Sequence, residues 1–156
     1  MKKRVNWRVL ISSLIVVYLI AIIGGIFTSS NTNSEWYQSI KPSITPPNYI
    51  FPIVWNILFF LIGISIYLSW INAKKNQKSK IILVYGINFF LNILWSFLFF
   101  YLKNPRAAFF DLVFLEFSIL SLIIVSSKIN KKTFWILLPY LLWVSFAGVL
   151  NWLMIQ

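Results

Sequence analysis

Trp36-Tyr37-Gln38-Ser39-Ile40-Lys41-Pro42-Ser43-Ile44-Thr45-Pro46-Pro47-Asn48-Tyr49-Ile50-Phe51-Pro52-Ile53-Val54-Trp55 holds four of the chain's six prolines between two tryptophans. Long apolar runs lie on both sides of it. A segment this rich in proline and aromatic rings is neither a hydrophilic linker nor a simple turn. It reads as a rigid cover that holds its shape without secondary structure, and a cover implies something beneath it.

The flanking runs place that cover in a bilayer. The chain is 60% hydrophobic and only 11% charged, with a mean hydropathy of +0.81, values of an integral membrane protein. Its 156 residues leave room for a few spans and short connections, so one membrane domain over 1–156 is expected. A hydrocarbon core of about 30 Å needs about 20 apolar residues as helix. Five segments meet that length: 9–28, 49–71, 80–102, 105–127 and 133–155. The expected fold is therefore all-α, a bundle of five transmembrane helices with a lid loop at 29–48. Asn104-Pro105 reads as a cap followed by proline in the first helical turn. Pro139 should kink the last span. The first run, after Lys2, Lys3, Arg4 and Arg8, is too long for a usual signal-peptide core and reads as a retained span.

Cysteine and histidine are both missing. Disulfides, zinc sites, imidazole or thiolate haem ligation and the Cys- or His-based nucleophiles go with them, so no metal site is expected. The net charge of +11 does not indicate nucleic acid, because the cations flank apolar spans. The N-terminus, Lys74, Lys75, Lys78 and Lys80, and then Lys128, Lys131 and Lys132 alternate to one side. Only Lys41, Lys103 and Arg106 fall on the other. By the positive-inside rule the N-terminus is cytoplasmic, and the lid and C-terminus face out. The cytoplasmic membrane of a prokaryote is the expected location.

Trp7, Trp70 and Trp135 sit beside cations at span ends, as interfacial anchors do, and Trp152 fits the same role. Trp55, Trp95 and Trp143 do not. In the third span Tyr85, Asn88, Asn92, Trp95 and Phe99 share one helical face. Tyr140, Trp143, Ala147 and Asn151 share one in the fifth, as do Pro52, Trp55, Phe59 and Gly63 in the second. An amide facing lipid is costly, so these faces turn inward. Two readings stay open: ordinary interhelical packing with Asn as glue, or a π-rich, charge-poor ligand pocket beneath the lid. The lid favours the pocket.

Asp111 and Glu116 lie within the fourth span, where ionisable groups are functional candidates. Five residues apart, they point roughly 140° away from each other, which argues against a paired acid/base site. Glu116 could relay protons or bond a neighbouring helix as a structural group; the structural role is preferred.

An ordered set of these residues resembles the TspO/MBR family, the translocator and tryptophan-rich sensory proteins that include the peripheral benzodiazepine receptor. It comprises Trp36-Tyr37, Lys41-Pro42 with Pro46-Pro47, Phe51 with Val54-Trp55 and Gly63, then Leu91-Asn92, Trp95, Phe99-Phe100 and Asp111. Pro139-Tyr140, Trp143, Phe146-Ala147 and Leu150-Asn151 complete it. The resemblance implies a five-helix bundle with one pocket near its outer end, closed by the first loop. It implies binding of porphyrins or haem-like tetrapyrroles, and of sterol- or isoquinoline-like planar ligands, at Trp36, Tyr37, Trp55, Asn92, Trp95, Trp143, Ala147 and Asn151. It also implies a homodimer, for which Ala21 and Gly25 offer a slight hint. Ile44 stands where many relatives have an aromatic. Nothing basic follows Lys132, so the C-terminal cholesterol pattern of the animal members is missing. Leu98–Lys103 fits a looser version that carries no weight in so Leu-rich a chain.

The functional expectation is a membrane receptor or sensor for tetrapyrroles, requiring no cofactor, with a role in tetrapyrrole regulation or stress response. A transporter of tetrapyrroles or other amphipathic solutes is the alternative, although no inverted repeat or pair of broken helices is visible. A light-dependent porphyrin-degrading activity would fall to Trp55 and Trp143. No acid/base machinery for ordinary turnover is apparent.

Overall fold

The computed structural model describes residues 5–29 and 31–156; the basic residues Lys2, Lys3 and Arg4 and the loop position Ser30 lie outside them. Five long helices cross the molecule: α1 (Trp7–Ser29), α3 (Ile50–Asn72), α4 (Lys78–Ser96), α5 (Pro105–Ile129) and α6 (Lys132–Leu153). Each is long and apolar enough to span a membrane, α4 together with the turns at its ends. The chain is a multi-pass integral membrane protein.

The lid departs from the sequence reading in one respect. It contains a short helix, α2 (Glu35–Ile40), which carries Trp36 and Tyr37. Ser34 starts it by accepting a hydrogen bond from the Tyr37 amide at 3.2 Å, and Glu35 places a negative charge in its positive first turn. The prolines exclude helix only from Pro42 onward; six proline-free residues before them suffice for a capped turn and a half.

At α5, Asn104 Oδ1 accepts from the Ala107 amide at 3.0 Å and Pro105 occupies the first turn, as the sequence indicates. α6 runs through Pro139 as one helix. α4 gives way at Phe97–Tyr101 to a π-helical turn, closed by the Leu102 amide on the Phe97 carbonyl at 3.0 Å. Lys103, with φ of 49°, then takes the left-handed conformation that ends many helices.

The helices form a closed ring in the spatial order α1, α3, α6, α5, α4 and back to α1. At the crossing of α1 and α3, a Cβ on Gly63 would come within 2.6 Å of Leu14 Cδ2, so the missing side chain is what lets these helices touch. At the end carrying the lysine-rich turns the interior is filled: Leu122, Ile119 and Leu137 are inaccessible to solvent. There the Tyr85 hydroxyl bonds Ser65 at 2.7 Å and Ser126 at 3.1 Å, tying α4 to α3 and α5. At the lid end the interior is not filled.

Candidate ligand site

A cavity of about 470 Å³ opens beneath the lid. From α4 come Asn92, Trp95 and Ser96, continued by Phe99 and Phe100 of the π turn; from α6 come Ala147, Leu150 and Asn151. Phe51, Trp55 and Phe59 of α3 face them, and α1 closes the ring with Tyr18, Ala21 and Gly25. Among the described residues no lining side chain is charged, so the site offers rings and a few hydrogen-bonding edges.

The rings are held by one another. Trp95 stacks on Phe99 at 5.1 Å and 19°, and meets Phe100 edge-on at 5.9 Å. Trp55 packs on Phe59 at 5.3 Å and against the Tyr140 ring at 6.2 Å. Such pairs contribute about 0.5–1.5 kcal/mol beyond area burial, which fixes the walls without a ligand. The π turn brings two consecutive rings, Phe99 and Phe100, into the wall, and π turns recur at functional sites.

The amides fasten the floor and one flank. The Asn92 Nδ2 donates to the Tyr140 hydroxyl at 3.3 Å, which donates to Asn88 Oδ1 at 3.2 Å; Asn88 Nδ2 donates to Ser118 at 2.8 Å. Ser118 spends its own proton on the Leu115 carbonyl at 2.7 Å, so Asn88 must donate to it and the single Tyr140 proton goes to Asn88, which sets the direction of both amides. Asn92 Oδ1 makes no hydrogen bond among the described residues. Asn151 accepts from the Trp95 indole at 3.2 Å and donates to the Pro105 carbonyl at 2.8 Å, joining α4, α5 and α6. The carboxamides are therefore both interhelical ties and cavity lining.

Of the residues singled out in the sequence, Tyr37, Trp55, Asn92, Trp95, Ala147 and Asn151 line the cavity. Trp36 and Trp143 do not. Trp36 rests on Phe99 at 5.6 Å and Trp143 on Phe51 at 5.7 Å, each one ring behind the wall. The Trp143 indole N–H is buried without a partner among the described residues. Tyr37 is buried against Phe99 and Phe100, and burial pushes its hydroxyl above the ordinary phenol pKa.

The α1 wall is what sequence reasoning passes over. Tyr18, Ala21, Gly25 and Thr28 recur at i, i+3, i+7 and i+10, the spacing that marks the other faces, but none of them has the cost of an Asn to betray its direction. Asn48 is missed because it lies in the lid and belongs to no helical face; Asn56, at i+4 from Pro52 and three residues before Phe59, carries the same amide signal as Asn92 and was legible from spacing. Asp111 and Glu116 lie on α5, which does not line the cavity. Ser145 of α6 donates to Glu116; Asp111 is buried, with Oδ2 unpartnered among the described residues. These residues include no cluster of metal-binding side chains.

Ring order, span number and a roofed aromatic cavity define a small helical membrane protein with an internal cavity. The TspO/MBR family profile matches residues 13–156, and the chain belongs to that family. It is 39% identical over 143 residues to the tryptophan-rich protein TspO of Archaeoglobus fulgidus, covering 91% of this chain and 92% of that one. Protein CrtK of Rhodobacter capsulatus is 30% identical, with 89% of each chain covered. The translocator protein of Bos taurus is 28% identical, covering 88% of this chain and 85% of its own.

Proposed function

We propose that this protein is a membrane receptor or sensor that holds a porphyrin or related planar tetrapyrrole in the cavity beneath its lid. The observation that carries the reading is the wall itself. About 470 Å³ falls within the roughly 300–1,000 Å³ of small-molecule sites, and Trp55, Trp95, Phe99 and Phe100 present ring surface with no charge to desolvate. Asn92 Oδ1 supplies an acceptor for a pyrrole N–H or another polar edge. Of the haem-ligating side chains this sequence keeps tyrosine and methionine; Met154 lines the cavity with a thioether that is a weak ligand by itself, and burial of Tyr37 disfavours the phenolate that would bind iron. The ligand preferred is thus held by stacking, with or without metal. With the lysine-rich turns cytoplasmic, the cavity lies in the outer half of the bilayer. Homodimerisation belongs to this reading. Ala21 and Gly25 line the cavity, so the pairing surface would lie elsewhere, for example on the exposed Phe110, Phe114 and Phe117 of α5.

Titration of the purified protein with protoporphyrin IX should give saturable quenching of tryptophan fluorescence at one site per chain. Absence of saturable quenching at micromolar ligand would sink the proposal. Light-dependent porphyrin degradation is a second reading, favoured by Trp55 in the wall with Trp143 behind it through Phe51. A porphyrin absorbance loss that needs light and oxygen and disappears in Trp55→Phe would support it; a spectrum unchanged under illumination would end it.

A further inference from the structure

Four of the five seams in the helix ring are shut around the cavity, and the fifth is not. Phe27 against Phe97 and Tyr101, at 5.4 and 6.0 Å, shuts α1 to α4. Phe51 against Trp143 and Trp55 against Tyr140 shut α3 to α6. Asn151 ties α6 to both α5 and α4, and the α4–α5 seam carries Asn88 on Ser118. The roof is shut too: Asn48 Nδ2 donates to the Thr32 carbonyl at 3.2 Å and to Asn33 Oδ1 at 3.1 Å, while Lys41 Nζ donates to Asn48 Oδ1 at 3.2 Å.

Between α1 and α3 the helices meet at Leu14 and Gly63, and the roof bond of Asn48 to Thr32 closes the far end. Between those points the hydrogen bonding among the described residues comes from one hydroxyl: Tyr18 donates to Asn56 Oδ1 at 3.0 Å and leans toward the Asn56 carbonyl at 3.4 Å. Asn56 and Pro52 both line the cavity and are both exposed. A Cβ added to Gly25 would meet nothing within 4 Å. From Tyr18 to Thr28 the open stretch runs ten residues, about 15 Å of helix. Exposed Ile22 and Ile26 on one side and Ile53 and Ile57 on the other give it an apolar outer rim. An exposed carboxamide at this depth is costly against lipid, and Asn56 is the residue in the rim that packing does not explain.

We infer that the α1–α3 seam is a lateral window through which the ligand is exchanged with the bilayer, with Tyr18 and Asn56 as its latch. Cargo that uses this route is dissolved in the membrane: flat, apolar, and bearing a polar edge that Asn56 can meet as the Tyr18 bond yields. This rests on the receptor reading above and adds the direction from which the site fills.

The test is stopped-flow quenching with protoporphyrin IX preloaded in phosphatidylcholine vesicles, mixed with proteoliposomes of the protein, plus the reverse chase. Tyr18→Phe keeps the ring and removes the latch, so association and dissociation should both accelerate about 2- to 10-fold, the factor one hydrogen bond represents. Ile26→Trp, on the outer rim and outside the cavity lining, narrows the window and should slow both by a similar factor, leaving equilibrium affinity within about 3-fold. Ile82→Trp makes the same change on the exposed surface of α4 and should change nothing. Rates indifferent to Tyr18→Phe and Ile26→Trp but raised by Asn48→Ala would overturn the window and assign loading to the roof. If wild type shows no saturable quenching at equilibrium, the receptor reading fails and the window falls with it.

Discussion

The two ends of this bundle are built from the same five helices and spend their aromatic and polar residues in opposite ways. At the lysine-rich end, aliphatic side chains fill the interior and Tyr85 ties Ser65 and Ser126 together. At the lid end, rings pack on rings around space that none of the described residues fills, and the amides that bind helices together also border that space. Apolar transfer does not favour helix contact in lipid, so association rests on close packing and interhelical hydrogen bonds. The filled end gets its cohesion from the first and the cavity end from the second, together with aromatic contacts. A cavity can persist only where such ties replace the lost dispersion contacts.

Substitutions that separate the ends test this contrast. The largest effect on stability is expected at the filled end: Ile119→Ala, at a fully buried position, should cost about 2–5 kcal/mol in denaturant unfolding and leave protoporphyrin affinity unchanged. Trp55→Ala at the cavity end should do the reverse, weakening ligand binding at least tenfold, about 1.4 kcal/mol, with a smaller stability loss because the removed ring already borders empty space. If the two variants lost stability equally, the contrast would be wrong. Tyr140→Phe lies on the boundary. Losing the hydroxyl unties Asn92 from Asn88 and should cost about 0.5–1.5 kcal/mol of stability and a few-fold in affinity, through a looser Asn92. A smaller difference is expected between ligands: haem and metal-free protoporphyrin should bind within about 3-fold of each other, because the Met154 thioether and the Tyr37 hydroxyl, kept protonated by burial, hold iron weakly. Smallest of all, Trp135→Ala, exposed beside the lysines, should stay within about 0.5 kcal/mol in detergent.

How far the site could be read in the sequence depended on the cost each residue would bear if it pointed outward. Asn92 and Asn151 could not face lipid, so their faces, and Trp95 and Ala147 with them, were legible from spacing alone. Trp143 shares the same face yet stops one ring short of the cavity, because Phe51 of α3 stands in front of it. Trp36 is displaced in the same way by Phe99. Periodicity gives the direction of a side chain and not what lies between it and the centre.

The sequence by itself determined the five spans, the place of the lid and the inward amide faces. Those follow from free energies local to each segment: apolar length against bilayer thickness, proline against helix, and buried amides against lipid. Only the tertiary structure decided that α1 forms the fourth wall, that α2 exists within the lid, and that beside the cavity one seam is bridged by the Tyr18 hydroxyl on Asn56. The small residues of α1 are cheap in any orientation, so nothing local directs them. Their place is set by Gly63 letting Leu14 close on α3, a contact between residues 49 positions apart that no single segment encodes.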